Sequence, residues 1–405
     1  MNWACFVLVA VGLVGCREPK PAQQVAFEPT AFPKGKTYYK DVLPIVLNNC
    51  QQCHQEGGIG PVRLDNYADA LENAQAIAEH VFDRTMPPWM PSPGCGSFRN
   101  ERILTHDQIA TIVGWYVDGA QPGDPADAPP PTVAPLGLQN PDLVRKLQTP
   151  YTPNDTLDDD YRCFVFDPEL VAARDLTAFE VVPGDRREVH HVLLYLVDFA
   201  AAQDLDKVGA GYSCFGGPGL QESTVVGGWV PGAGVVEFPT GTGIRLEPGK
   251  GVVMQIHYNL GNGVFPDATE MRFRFSPTPV AKLAQIVSAK NTSFAIPPGA
   301  ENYSVSVERA MPTDGVLWGM APHMHTRGKR ALIQRESGEC LIDIPKWDFH
   351  WQDFYFTDSP TGIPLSKGDK LTFTCTWDNP TANTVRWGES TSDEMCIAYF
   401  YVSQP

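Results

Sequence analysis

The chain has 405 residues with 36 glycines and 37 prolines, and 43% of its side chains are hydrophobic and 19% charged. That is the composition of a turn-rich globular protein of about two or three domains, too long for one compact module. Lys and Arg number 31 against 47 Asp and Glu, a net charge of −16, so the overall field excludes nucleic acid and anionic lipid as electrostatic partners. Small neutral or cationic partners stay compatible with it.

Residues 1–15 are almost continuously apolar, and Leu13-Val14-Gly15-Cys16 places a small residue before a cysteine. About fifteen apolar residues are too few for a permanent bilayer span. We read 1–15 as a lipoprotein signal peptide, Cys16 as the lipidated residue and 16–35 as a tether. Residues 1–6 lack the usual Lys or Arg, and an uncleaved N-terminal anchor would place the remaining chain on the same side. The expectation is an exported protein, lipid-anchored at a bacterial membrane and facing periplasm or cell surface, where disulfides persist.

Three helical patterns follow. Leu43, Val46 and Leu47 give the first, leading into Cys50. The second starts from Asp65 as N-cap and carries Ala74, Ile77, Ala78 and Val81 at the spacing of one buried face. The third has Ile109, Ile112, Val113 and Tyr116, opened by a Thr105/Gln108 capping box and closed at Gly119. Among them lies Cys50-Gln51-Gln52-Cys53-His54, a CxxCH motif in which two thiols add to haem vinyl groups and the histidine is the proximal iron ligand. Met86, in Met86-Pro87-Pro88, is the expected distal ligand, with Met90 and His80 as alternatives. A thioether there leaves no open position and suits a haem that only carries electrons. Residues 36–120 resemble the small bacterial c-type cytochromes, all-α domains with one covalently bound haem c.

Prolines at 122, 125, 129, 130, 131 and 135 make 121–148 a stiff, extended linker. Beyond it apolar residues alternate, as in Met271, Phe273 and Phe275, in Tyr303, Val305 and Val307, and in Leu371, Phe373, Cys375 and Trp377. Period-two runs between Gly/Pro turns predict antiparallel sheets. The expected architecture is multidomain: the small all-α cytochrome c domain, then two antiparallel β-sandwich, jelly-roll-like domains at 149–278 and 279–405.

The β-region concentrates histidines in three contexts: His190-His191, His257, and His323 with His325. His323 and His325 share one face of a strand with Met324 opposite, an i, i+2 chelate. Two imidazoles plus the Met395 thioether form a soft, open copper site, while three imidazoles suit copper and also zinc. Adjacent His190 and His191 face opposite sides of an ideal strand, so binding one metal requires either different ring nitrogens or a bulge. Met320 and Met324 read as core packing.

The order HH, QIHY, HMH followed by TRGK, and DEMC, together with YRC at Cys163 and CFGG at Cys214, resembles the copper type II, reductant-dependent (ascorbate-dependent) monooxygenases. This is the family of dopamine β-monooxygenase and peptidylglycine α-hydroxylating monooxygenase, and the resemblance covers roughly residues 150–405. It implies two copper ions on two β-domains facing a solvent cleft. A centre of His190, His191 and His257 would store an electron, and one of His323, His325 and Met395 would use O2 to hydroxylate an unactivated C–H bond. It also implies a Cys375–Cys396 disulfide beside the methionine ligand and a substrate-contacting Tyr399. Peptide-amidating members carry an arginine and an asparagine where this chain has Ala321 and Ile397, which favours a small apolar or aromatic substrate without an obligatory carboxylate. Cys95, Cys163, Cys214 and Cys340 pair in an order the sequence leaves open. The electron donor would be a small reductant or redox protein acting through the haem. The competing expectation is a non-catalytic haem and copper electron carrier or sensor.

Overall fold

The computed structural model describes residues 32–56, 60–130, 137–157, 159–230 and 233–405; the expected signal peptide and Cys16 lie outside them. The first helix opens with a π-helical turn, Tyr38–Val42, and continues as Leu43–Asn49, burying Tyr38, Val42, Ile45 and Val46. The second pattern forms two helices, Tyr67–Glu72 and Ala74–Phe82. Asn66, extended in backbone, caps the first of these by accepting from Asp69 N, so the N-cap lies one residue beyond Asp65. At the break, the Asn73 side chain donates to Asp69 O at 2.8 Å and competes with the helical ladder. His106–Val117 carries the expected Thr105/Gln108 capping box. Tyr38, Ile112 and Trp115 are the fully buried centre of this helical unit.

The β-region is built on one long sheet. Its strands run in the order Leu143–Lys146, Glu270–Phe275, Arg174–Val182, Thr242–Leu246, Lys282–Lys290, Ile397–Ser403, Gly315–His323 and Tyr355–Phe356. Pairing is antiparallel except at one seam, where Lys282 lies opposite Thr242 in parallel. One continuous sheet therefore runs from the strands before residue 276 into those after residue 281. The strand Leu143–Lys146 pairs with Glu270–Phe275, so the segment read as linker, 121–148, ends inside the sheet.

A five-stranded sheet covers one half, ordered Tyr212–Ser213, Asp159–Phe166, Lys250–Asn259, Val189–Asp198 and Ser223–Trp229. Its Phe164, Leu194 and Met254 share a core with Leu176, Phe179 and Phe273 of the long sheet. A four-stranded sheet, Tyr303–Ala310, Lys370–Trp377, Gly328–Arg335 and Cys340–Ile344, covers the other half. There Ile333, Ile342 and Phe373 pack with Leu317, Met320, Met324 and Phe400. The runs of Met271, Phe273 and Phe275 and of Leu371, Phe373, Cys375 and Trp377 bury every second residue, whereas Tyr303, Val305 and Val307 alternate half-buried with exposed.

The segment between Met86 and the last helix leaves the helical unit and lies on the second sandwich. Trp89 and Phe98 pack on Tyr355 with ring centroids 5.5 and 5.6 Å apart. Ser92 N donates to Asp343 O at 2.7 Å and Arg99 N to Phe356 O at 2.8 Å. A Cys95–Cys340 disulfide fastens the same segment. This strap, rather than the proline-rich stretch alone, joins the helical unit to the β-region. The other disulfides are Cys163–Cys214 and Cys375–Cys396. Among the described residues no helix is long and apolar enough to cross a membrane.

Candidate metal centres

The first histidine set sits on two neighbouring strands, Val189–Asp198 and Lys250–Asn259. His191 lies directly opposite His257, and the ladder shifts register between Val189 and His191. The irregularity makes His190 the extra residue, which resolves the opposite-face problem of adjacent histidines through the backbone. All three rings turn Nδ1 inward: His191 Nδ1 is 3.3 Å from His190 Nδ1 and 3.3 Å from His257 Nδ1. The three ligand atoms lie within 4.8 Å of one another.

The tautomer of His257 follows from its partner. Nε2 donates to Asp159 Oδ1 at 2.8 Å, leaving the Nδ1 lone pair free. Asp159 also accepts from Asn259 and from Thr391 of the second sandwich. Burial raises its pKa, and these hydrogen bonds, His257 first, more than reverse that and hold it below the ordinary carboxylate value. Tyr161 stacks on His257 with centroids 4.2 Å apart and planes 8° from parallel. Its hydroxyl donates to Glu389 O.

The second set ends a strand. His323 is the last residue of Gly315–His323, and His325 follows in a turn closed by Gly328 N donating to His325 O at 3.2 Å. His323 Nδ1 donates to Gln352 Oε1 at 2.6 Å, and Gln352 is itself oriented by its Nε2 donating to Phe349 O. His325 Nδ1 donates to Asp393 O at 3.1 Å. Both Nε2 atoms are thereby left as acceptors. Met324 is fully buried in the core.

Met395, Ile397 and Tyr399 line the same cavity as His323 and His325, a space of 680 Å³ that Ala321 and His191 also line. The ladder sets Ala321 opposite Tyr399 and His323 opposite Ile397. Glu394, fully buried, fixes the surroundings: its carboxylate accepts from the backbone N–H of His325, Arg327 and Met395 and from Trp377 Nε1. Burial outweighs these bonds and pushes its pKa up to about 7.

The two sets adjoin. The rings of His191 and His323 are 6.5 Å apart, and Phe349 stacks on His190 at 4.8 Å while its edge contact with His325 is 5.7 Å. Residues of both halves line the one cavity that His191 and His323 share. Tyr161 to Glu389, Gly216 to Glu389 and Asp159 to Thr391 hold the halves together. His190, His191 and His323 are partly exposed, and His191 and His323 open onto the cavity. Burial, reinforced by neighbouring histidines, lowers His190 to about 3 and His325 to about 3 and holds His191 well below its ordinary value, and burial alone lowers His323 to about 4. These imidazoles are neutral, the form that ligates metal.

In the helical unit Cys50 and Cys53 are unbridged thiols. His54 Nδ1 donates to Val62 O at 2.8 Å, which leaves Nε2 available to iron. Gly60 permits this approach, since a Cβ there would stand 2.6 Å from His54 Nδ1. Among the expected distal ligands, Met90 Sδ accepts from Asp348 N at 3.2 Å and packs on the second sandwich. His80 Nδ1 is bonded to Thr85 Oγ1. Met86 is half-buried at the start of the strap.

Sequence reasoning did not single out Asp159, Gln352, Phe349 or Glu394. Glu394 stood inside the DEMC motif, whereas Gln352 and Phe349 belong to a loop without a motif.

Among solved structures, the fold is distantly similar to the major capsid protein P2 of bacteriophage PM2, at 9% identity over 65% of this chain and 97% of that one, with a TM-score of 0.26. It is also distantly similar to PNGF-II, at 10% identity over 64% and 59% of the two chains, with a TM-score of 0.24. Residues 281–404, which carry His323, His325, Met395 and the Cys375–Cys396 disulfide, match the C-terminal domain of the copper type II ascorbate-dependent monooxygenases.

Proposed function

We propose that the protein is a copper monooxygenase that hydroxylates an unactivated C–H bond of a small, apolar or aromatic substrate with O2. Electrons would reach it through a haem held by Cys50, Cys53 and His54, with Met86 as the distal ligand. The observation that carries this reading is the cluster of His190, His191 and His257, whose His191 lines one cavity with His323, His325 and Met395. Three imidazoles with inward Nδ1 atoms fit one copper, and two imidazoles with a thioether fit a second, softer one. Bound copper, cycling between one and two positive charges, would supply one-electron chemistry toward dioxygen.

The chain's own residues do the positioning. Asp159 and Gln352 each hold one imidazole in the tautomer that presents its other nitrogen. Glu394 fixes the backbone on both sides of the second set. Leu193, Val225, Trp229, Ile397 and Tyr399 give the cavity a largely apolar wall, which orients a hydrophobic substrate and limits water. With Ala321 where an arginine would grip a carboxylate, the cavity has no such requirement at that position. The CxxCH haem, with histidine and methionine ligands, would carry one electron at a time. Three disulfides agree with export, and the lipid anchor at Cys16 completes this reading.

The test is incubation of reduced, copper-loaded, haem-bearing protein with a metabolite extract under labelled dioxygen. A product heavier by one labelled oxygen atom supports hydroxylation. Electron flow through the protein with no such product favours the non-catalytic carrier and overturns the monooxygenase.

A further inference from the structure

Arg102 has no role in any motif, yet it stands between the segment that follows Met86 and the wall of the copper cavity. Its Nη2 lies 3.4 Å from Asp353 Oδ2, and its guanidinium carbon is 5.8 Å from the centre of the Trp89 ring, three residues after Met86. Arg84, just before Met86, donates to Leu104 O at 3.4 Å, so the chain on either side of Arg102 and Met86 runs together. The Arg102 Nε–H is buried and has no hydrogen-bond partner among the described residues.

A buried unpaired donor is destabilising, and on an always-charged planar fork the matching acceptor is a carboxylate. Asp353 engages Nη2 alone, so it does not satisfy Nε. A haem attached at Cys50 and Cys53, with Met86 as its distal ligand, would carry two carboxylates of its own, the acceptor type that this unpaired Nε–H lacks. We propose that Arg102 binds a carboxylate of the covalently attached haem and, through Asp353, ties that group to the wall of the copper cavity. This rests on the CxxCH reading above. Asp353 lines the cavity and follows Gln352, whose Oε1 holds His323. The contact therefore places the haem carboxylate within a short run of residues of a copper ligand.

The experiment uses the full chain, with covalent haem verified in each preparation by mass and absorbance. The haem potential is measured by spectroelectrochemical titration and the propionate bending band by resonance Raman. Arg102→Gln should move the propionate band and lower the potential, because loss of a nearby positive charge favours ferric iron. Asp353→Asn should raise the potential, and Arg102→Lys should restore most of it. Opposite signs separate an electrostatic contact from mere loosening, which would shift both variants the same way. A potential shift with an unmoved propionate band assigns Arg102 to the Asp353 ion pair alone and overturns the proposal, as does no change in either readout. If Arg102→Gln fails to fold, the band and potential of Arg102→Lys and Asp353→Asn decide. Absence of covalent haem in the unaltered chain overturns the haem reading as well, an outcome the mass measurement distinguishes from failure of the contact.

Discussion

The imidazoles of His191 and His323 lie edge to face, with ring centroids 6.5 Å apart and planes at 72°, although they belong to different ligand sets on different sandwiches. Electron exchange between metals bound at these sets would need no protein-length path. The apposition depends on the 387–394 loop, which reaches the first sandwich through Glu389 and Thr391.

Glu394 is the first place to test that framework. Glu394→Ala strands the Trp377 indole N–H and three backbone N–H groups in a dry interior. We expect a loss of about 3 kcal/mol in unfolding free energy and weaker copper retention at the His323, His325 and Met395 set, with the three-histidine set still filled. Urea denaturation and metal analysis check both effects. Unchanged stability would remove Glu394 from its structural role.

The metal-free protein should be acid-sensitive. His325, buried and lowered to about 3, has a folded-state pKa below its ordinary 6.5. Its contribution is therefore present above pH 6.5 and lost as pH falls from 6.5 toward about 3. At pH 5 protonation of this histidine in the unfolded chain costs about 2 kcal/mol relative to neutral pH. Urea midpoints of the metal-free protein should fall between pH 7.5 and 5, with a shallower fall in His325→Asn. Equal slopes for the two would contradict it.

Met395→Ile keeps an apolar side chain on the cavity wall and deletes the thioether. The second set should lose its soft ligand while the fold and the three-histidine copper persist, and hydroxylation should fall by at least tenfold. Product formation under labelled dioxygen at the unaltered rate would show that Met395 is not a ligand.

Local chemistry made part of this structure legible. The Thr105/Gln108 box and the alternating runs around Phe273 and Phe373 state their own backbone geometry, because capping and period two are written in neighbouring residues. The break at Asn73 was not legible, since a side chain that competes for one carbonyl looks like any polar helical residue. The histidines stood out by type and spacing. The bulge at His190 stayed one of two options because register depends on the partner strand. The strap of Trp89, Cys95 and Phe98 on Tyr355 and Cys340 was hidden, since its contacts join residues some 250 positions apart, as the 245-residue separation of Cys95 and Cys340 shows. Gln352 and Asp159 act through histidines distant in sequence, so no motif announces them.

Copper stoichiometry combined with electron paramagnetic resonance tests the central claim most directly. The oxidised, copper-loaded protein should hold two coppers per chain, with magnetic interaction broadening or diminishing their signals as the apposition of His191 and His323 requires. His323→Ala should hold one copper with a simple, isolated spectrum. Two non-interacting signals in the unaltered protein, or loss of both coppers or of neither in His323→Ala, would contradict two adjoining, separately built centres.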